Sequence, residues 1–293
     1  MASVELNRTS QPVAPELAEF SRRMAQELAT SAPELPSFPE VALRVRRALS
    51  QDDIAVDDVV RIVSAEPSLA VRLLQIANSV ALNPGLQRVT TLRAAITRVG
   101  FNLARGATIA FAMSQMRRAQ AWRGLEARFR EIWDSSATLA AVSYAIARHA
   151  ERPDADQALL AGMLHAIGRL FVLTRLSAYP VLSGGAMSQE IEQDWQARAG
   201  RALLARWELG EDLIEAACSF ERAHAEREGG ATLSDVLLAG HYLAAVRDVT
   251  DLSAADFPAT APFRRLRLGA DALARVLDSS AAEIAALRAA LGD

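Results

Sequence analysis

The amino-acid sequence predicts an all-α protein, and three observations carry that expectation. Apolar residues recur at helical spacing along nearly all of the 293-residue chain. Alternating apolar–polar runs flanked by hairpin turns are missing. Aromatic residues make up only 5% of the chain, so the core falls to Leu, Ala, Val and Ile. Such a composition suits helices that pack closely through small side chains.

The elements follow in order. Residues 1–14 read as a leader, and Glu16 to Thr30 as a first helix ended by Ser31-Ala32-Pro33. Pro39 opens a short helix carrying Val41, Leu43, Val45 and Leu49, since proline is tolerated in a first turn. Asp57 and Asp58 mark the next helix start, where negative charge complements the dipole. Pro67 starts another, with Leu69, Leu73, Leu74, Ile76 and Ala77, and Asn83-Pro84-Gly85 breaks the chain. Thr90 or Thr91 caps a helix through Ile96 and Val99, and Gly100 separates it from a longer one ending near Met116.

The polar stretch Arg117 to Gly124 divides the chain into two lobes. Beyond it one helix passes through Trp133, Leu139, Val142 and Ile146. A second, after Pro153, includes Leu159, Leu160, Leu164, Ile167 and Phe171. Pro180 to Gly185 reads as a loop. Helices are expected over about 188–207, 211–225 and 231–249, with a loop over Thr250 to Pro262. Ser280 and Glu283 fit a capping box, placing the start of a final helix near Ser280. The organisation is therefore 1–34 leader and helix, 35–120 a lobe of short helices, 121–250 a second helical lobe, and 251–293 a helical tail.

Composition narrows the function classes. The net charge is −3 and no Lys occurs, so every fixed positive side chain is Arg. A basic nucleic-acid footprint is missing, and DNA is not an expected partner. The arginine pairs at 22–23, 46–47, 117–118 and 264–265 are scattered and read as solvated helix faces. The single cysteine, Cys218, lies in an apolar helical pattern and reads as a buried structural thiol of a reducing compartment. The N-terminus lacks the charged-then-apolar run of a signal peptide. No uninterrupted apolar run approaches the ~20 residues that span a bilayer. A cytoplasmic protein without a membrane partner is expected.

The most suggestive chemistry lies in LAGMLHAIGRL, Leu160 to Leu170. A hydrolytic metal centre needs several His, Asp or Glu ligands converging on one point, and a carboxylate to offset the ion's charge. His165 has the first requirement, but the next position is Ala166, a methyl group. His165 therefore reads as a hydrogen-bonded core histidine or, alternatively, a lone ligand. Gly168 permits close helix approach or a bend. Of the other three histidines, His149 and His224 lie in polar stretches and His241 follows Gly240 on an apolar helix. Asp134, Asp154, Asp156 and Asp235 are carboxylates that could approach the site. Neither a G-x-S-x-G elbow nor a phosphate-binding glycine loop is present.

The stretch Leu35 to Ser79 resembles the opening of the HDOD domain, an HD-related output domain of bacterial signalling proteins. Leu35-Pro36 with Pro39-Glu40-Val41, Glu66-Pro67-Ser68-Leu69 with Leu73-Leu74, and Ala77-Asn78-Ser79 carry the likeness together. Thr91 to Ile96, followed by Val99-Gly100, continues it, and the resemblance covers roughly residues 35 to 250. It implies a two-lobed helical fold, with a bundle of short helices packed on a lobe similar to HD phosphohydrolases. Carried over by position, the first family His falls near Ser135, the His-Asp pair on His165-Ala166, and later ligands near Gln196, Phe220 and His241. Only His165 stands as a plausible ligand at its expected place. The resemblance thus implies a degenerate site and signal transduction without catalysis or cofactor, through contacts with a signalling partner protein. Alternatives are a sensor that binds a nucleotide second messenger, such as a cyclic dinucleotide, and a degenerate metal-dependent phosphohydrolase. The chain has no room for a receiver or cyclic-di-GMP-related domain and is expected to act alone. Asn78-Ser79 either stops its helix by bonding the following loop or faces a cleft between the lobes.

Overall fold

A computed structural model describes residues 13–30, 35, 44–45, 48, 54–79, 87–116, 122–150, 154–207, 209–224, 226–245 and 260–292. Every regular element among them is helical. They are α1 Val13–Thr30, α2 Val56–Ser64, α3 Pro67–Ala77, α4 Leu92–Met116, α5 Glu126–His149 and α6 Ala155–Leu164. Then come α7 Ile167–Leu176, α8 Gly185–Arg206, α9 Glu211–Ser219, α10 Leu233–Ala245, α11 Ala261–Leu266 and α12 Ala270–Gly292. A 3-10 turn, Phe220–His224, extends α9. Most of the expected Pro39 helix, the break at Asn83-Pro84-Gly85, most of the stretch Arg117 to Gly124 and most of the loop Thr250 to Pro262 lie outside the described residues.

Local chemistry sets the first lobe. Asp57 and Asp58 occupy the first turn of α2 and Arg61 its last, each charge opposing the helix dipole. Pro67 lies at the start of α3. Thr91 caps α4, its Oγ1 accepting from the Ala94 N–H at 3.3 Å. At Gly100 the backbone turns to φ 76°, ψ 165°, which splits α4 into two helices as the sequence predicts. Val59, Val63, Leu69, Leu73, Ile76 and Ile96 are buried, and they share one continuous core with the second lobe.

In the second lobe, glycines let helices touch backbone to backbone. A Cβ at Gly162 of α6 would stand 2.5 Å from the Ala140 Cα of α5. A Cβ at Gly168 of α7 would stand 1.9 Å from the Gln196 carbonyl oxygen and 2.7 Å from the Gly200 nitrogen, both on α8. Gly240 of α10 meets Ser143 of α5 in the same way, with 2.6 Å to Oγ. The terminal helices seal this bundle. Phe20 of α1 packs edge-on against Tyr179 and Trp195, centroids 5.4 and 6.5 Å apart, and Glu27 pairs with Arg175. The first helix thus lies on the second lobe. α12 lies along α5 and also reaches α3 and α4.

Two expectations are corrected. The single helix expected through Leu159 and Phe171 is two, α6 and α7, divided by a turn at His165-Ala166. The final helix starts at Ala270 rather than near Ser280. Leu273, Val276, Ser280 and Leu287 form its buried seam, so Ser280 lies inside the helix and no capping box forms there. The stretch Ala155–Leu176 is long and apolar enough by composition to cross a bilayer, with an 18-residue window at mean hydropathy 1.4, but 78% of that window is buried within the fold.

The lobes meet where α6 passes α4. There Asp156, in the first turn of α6, stands 3.9 Å from where a Gly100 Cβ would be. Burial, and then the nearby Asp154 carboxylate, push the Asp156 pKa up to about 6 from an ordinary 3.8. With the folded value raised, its contribution is full below 3.8 and is lost as pH rises through about 6. Asp156→Asn should therefore stabilise the protein at neutral pH by about 1 kcal/mol, after allowance for solvent screening, and by nothing in acid. Urea unfolding at two pH values checks this. Gly168→Ala should cost about 3 kcal/mol or more, whereas Gly184→Ala, with open space around it, should be near neutral.

Candidate functional site

His165 closes α6, and Ala166 opens α7. The His165 Nδ1 lies 2.8 Å from the Gly162 carbonyl oxygen. A carbonyl only accepts, so Nδ1 carries the proton and Nε2 the lone pair. Burial pushes the His165 pKa down to about 4, overriding the Gly162 hydrogen bond, which acts the other way; His241 and Arg169 add to the lowering. The ring is therefore neutral at physiological pH.

Of the positions suggested by sequence, the structure brings three together. The Phe220 ring stands 6.2 Å from His165 and 5.6 Å from His241, centroid to centroid, so it touches both imidazoles. Phe220 is buried in the 3-10 turn, whereas His241 is exposed on α10. Ala166 is buried and offers only a methyl. Ser135 is exposed on α5, and Gln196 is half-buried on α8, where its backbone carbonyl faces Gly168. Asn78 is held by its neighbours: Nδ2 donates to the Leu74 and Val89 carbonyls, and Oδ1 accepts from the Val89 N–H, all at 2.8 Å. Asn78 thus stops α3 and ties down the chain at Val89. The part-buried Ser79 donates its N–H to the Ile76 carbonyl at 3.0 Å.

The candidate carboxylates are engaged elsewhere or exposed. Asp154 caps α6, accepting from the Gln157 N–H at 2.9 Å. Asp156 faces Gly100, and Asp134 is exposed on α5. Asp235 is fully buried and shared by two guanidinium groups. Arg265 Nε donates to Oδ1 at 3.1 Å, Arg227 Nη2 bonds Oδ2, and the Thr232 N–H reaches Oδ2 at 2.8 Å. A second arginine–carboxylate–arginine cluster went unread in the sequence. Glu192 of α8, also fully buried, accepts from Arg128 of α5 at 2.9 Å, Arg169 of α7 at 3.1 Å and Ser188 at 3.0 Å. Its signal was the Ser188–Glu192 i,i+4 pair inside the apolar Ile191–Trp195–Ala199 stripe. Cys218 is buried behind Gly200, and burial pushes its thiol up to about 12.

These residues do not fit a hydrolytic metal centre. His165 offers one nitrogen, Phe220 supplies hydrocarbon where a ligand is needed, and Ala166 supplies no charge. Among the described residues, no group of three or more His, Cys, Asp or Glu could hold a metal ion.

The geometry makes a titration prediction. His165 should remain neutral, protonated on Nδ1, from alkaline pH down to near 4, as nitrogen-15 correlated NMR would read. Its folded pKa is depressed, so its contribution to stability is present above 6.5 and is lost as pH falls toward 4. A midpoint near 6.5 would contradict the packing around the ring.

Comparison with known proteins places the fold. The HDOD domain profile matches residues 35–222, more than half of the chain. An uncharacterized protein of Treponema pallidum is 24% identical over 230 residues, covering 72% of this chain and 43% of its own length. The chain thus spans less than half of that relative. Among solved structures, a candidate metal-dependent phosphohydrolase from Shewanella amazonensis superposes with a TM-score of 0.72 at 21% identity, covering 94% of this chain and 99% of its own. An HDOD domain protein of unknown function from Geobacter sulfurreducens gives 0.63 at 21% identity, covering 94% and 98%. A candidate signal transduction protein from Marinobacter aquaeolei gives 0.59 at 18% identity, covering 99% and 67%. The two-lobed helical fold expected from the sequence is theirs, and the chain belongs to the HDOD domain family.

Proposed function

We propose that this chain is a non-catalytic signal-transduction regulator that works through protein–protein contacts. One observation carries the reading: Phe220 packs against both His165 and His241 where a hydrolase would gather metal ligands. Membership of a family of output domains supports a signalling role. The reading keeps the sequence expectations of a cytoplasmic protein with no DNA or membrane partner, in line with the net charge of −3. A ligand-sensing version, in which a nucleotide is held and not hydrolysed, is favoured by an arginine-lined pocket whose lining includes none of His165, Phe220 and His241.

The test is turnover. Purified protein should hydrolyse neither a phosphodiester reporter nor nucleoside phosphates above background with magnesium, manganese or zinc added. Metal-stimulated turnover that disappears in His165→Ala would overturn the proposal.

A further inference from the structure

The chain after the family match, together with the end of α5 within it, encloses a pocket. It lies between the end of α5, the Glu226–Ala231 segment and α11, and has a volume of about 690 Å³, within the span of small-molecule sites. Four guanidinium groups line it, from Arg227, Arg264, Arg265 and Arg267, together with His149.

Arg227 and Arg265 share the carboxylate of Asp235. Arg264 pairs with Glu226. Arg267 is exposed and, among the described residues, has no ion pair or hydrogen-bonding partner for its side chain. His149 gives Nδ1–H to the Ala145 carbonyl at 2.9 Å, so Nε2 of the neutral ring accepts and meets a hydroxyl of a ligand rather than its phosphate. Guanidinium forks such as these bind a phosphate monoester in two-pronged fashion.

Arg267 also departs from the usual backbone. Among the described residues it is the one non-glycine with positive φ, at 55°, and it ends α11 in the left-handed conformation. Glycine fills such caps without strain, whereas a side chain there carries a conformational cost. The backbone role of the position calls for no side chain at all, so the guanidinium is held there at the expense of stability.

We infer that this pocket binds a phosphorylated small molecule of mononucleotide size through its phosphate, with Arg267 as the principal free charge. The inference rests on the non-catalytic reading only in that the ligand is held and not cleaved. Hydrolysis of a bound nucleotide would end that reading and leave the pocket intact.

Calorimetric titration of the full chain with guanosine monophosphate and adenosine monophosphate tests it, with inorganic phosphate as a second arm. The expected result is saturable binding of at least one nucleotide, weakened about tenfold or more in Arg267→Gly and less in Arg267→Lys. The Arg267→Gly protein should unfold at the same temperature as the parent or higher, because glycine relieves the left-handed strain. That separates lost binding from lost folding. Inorganic phosphate binding as tightly as the nucleotides would overturn the assignment of ligand size. Absence of saturable binding by either nucleotide, or equal binding by Arg267→Gly, would overturn the pocket.

Discussion

The backbone contact at Gly168 organises the second lobe. With the Gln196 carbonyl only 1.9 Å from where a Cβ would sit, α7 and α8 approach at a distance that only hydrogen at that position allows. Six residues earlier Gly162 makes the matching approach to Ala140 on α5. The short segment between the two crossings is therefore held from both sides. His165 and Ala166 lie in that segment, and the imidazole is tied to the Gly162 carbonyl at its near end. The location of the turn follows from these two contacts and the tautomer from the Gly162 carbonyl, while burial keeps the ring neutral.

Two buried carboxylates fasten the bundle around that centre. Glu192 joins α5, α7 and α8 through Arg128 and Arg169, and Asp235 of α10 joins α11 through Arg265 and the Glu226–Ala231 segment through Arg227. Removing a carboxylate from such a cluster leaves guanidinium groups facing each other with partial desolvation, a loss on the order of 3–5 kcal/mol. Replacing a whole cluster with apolar groups need not cost that much, so the clusters fix geometry more than they add stability. Lys could not substitute cleanly, because each carboxylate receives donors from two planar groups.

Much of the fold could be read from local chemistry. Asp57, Pro67, Thr91 and Gly100 each mark a boundary for a reason contained within a few residues, and the structure places boundaries there. Ser280 misled because the pattern Ser-x-x-Glu is local, whereas the buried seam of α12 is set by packing against α5. The continuous apolar run through His165 masked its turn, since both halves are buried and the period carries through. In the candidate site, the lack of an imidazole or carboxylate at Ser135, Ala166 and Gln196 is legible in the sequence itself. The ring contact between Phe220 and the two histidines was not, because it joins residues 55 and 21 positions apart. The Thr232-x-x-Asp235 cap was readable in principle, while its partner Arg265 is 30 residues away with no local signal.

We propose that His165 is a structural histidine whose neighbours exclude a metal ion. Elemental analysis of protein purified without chelator, for the parent chain and for His165→Ala, measures this most directly. Metal well below one equivalent is expected in both. One equivalent in the parent, lost in His165→Ala, would contradict it.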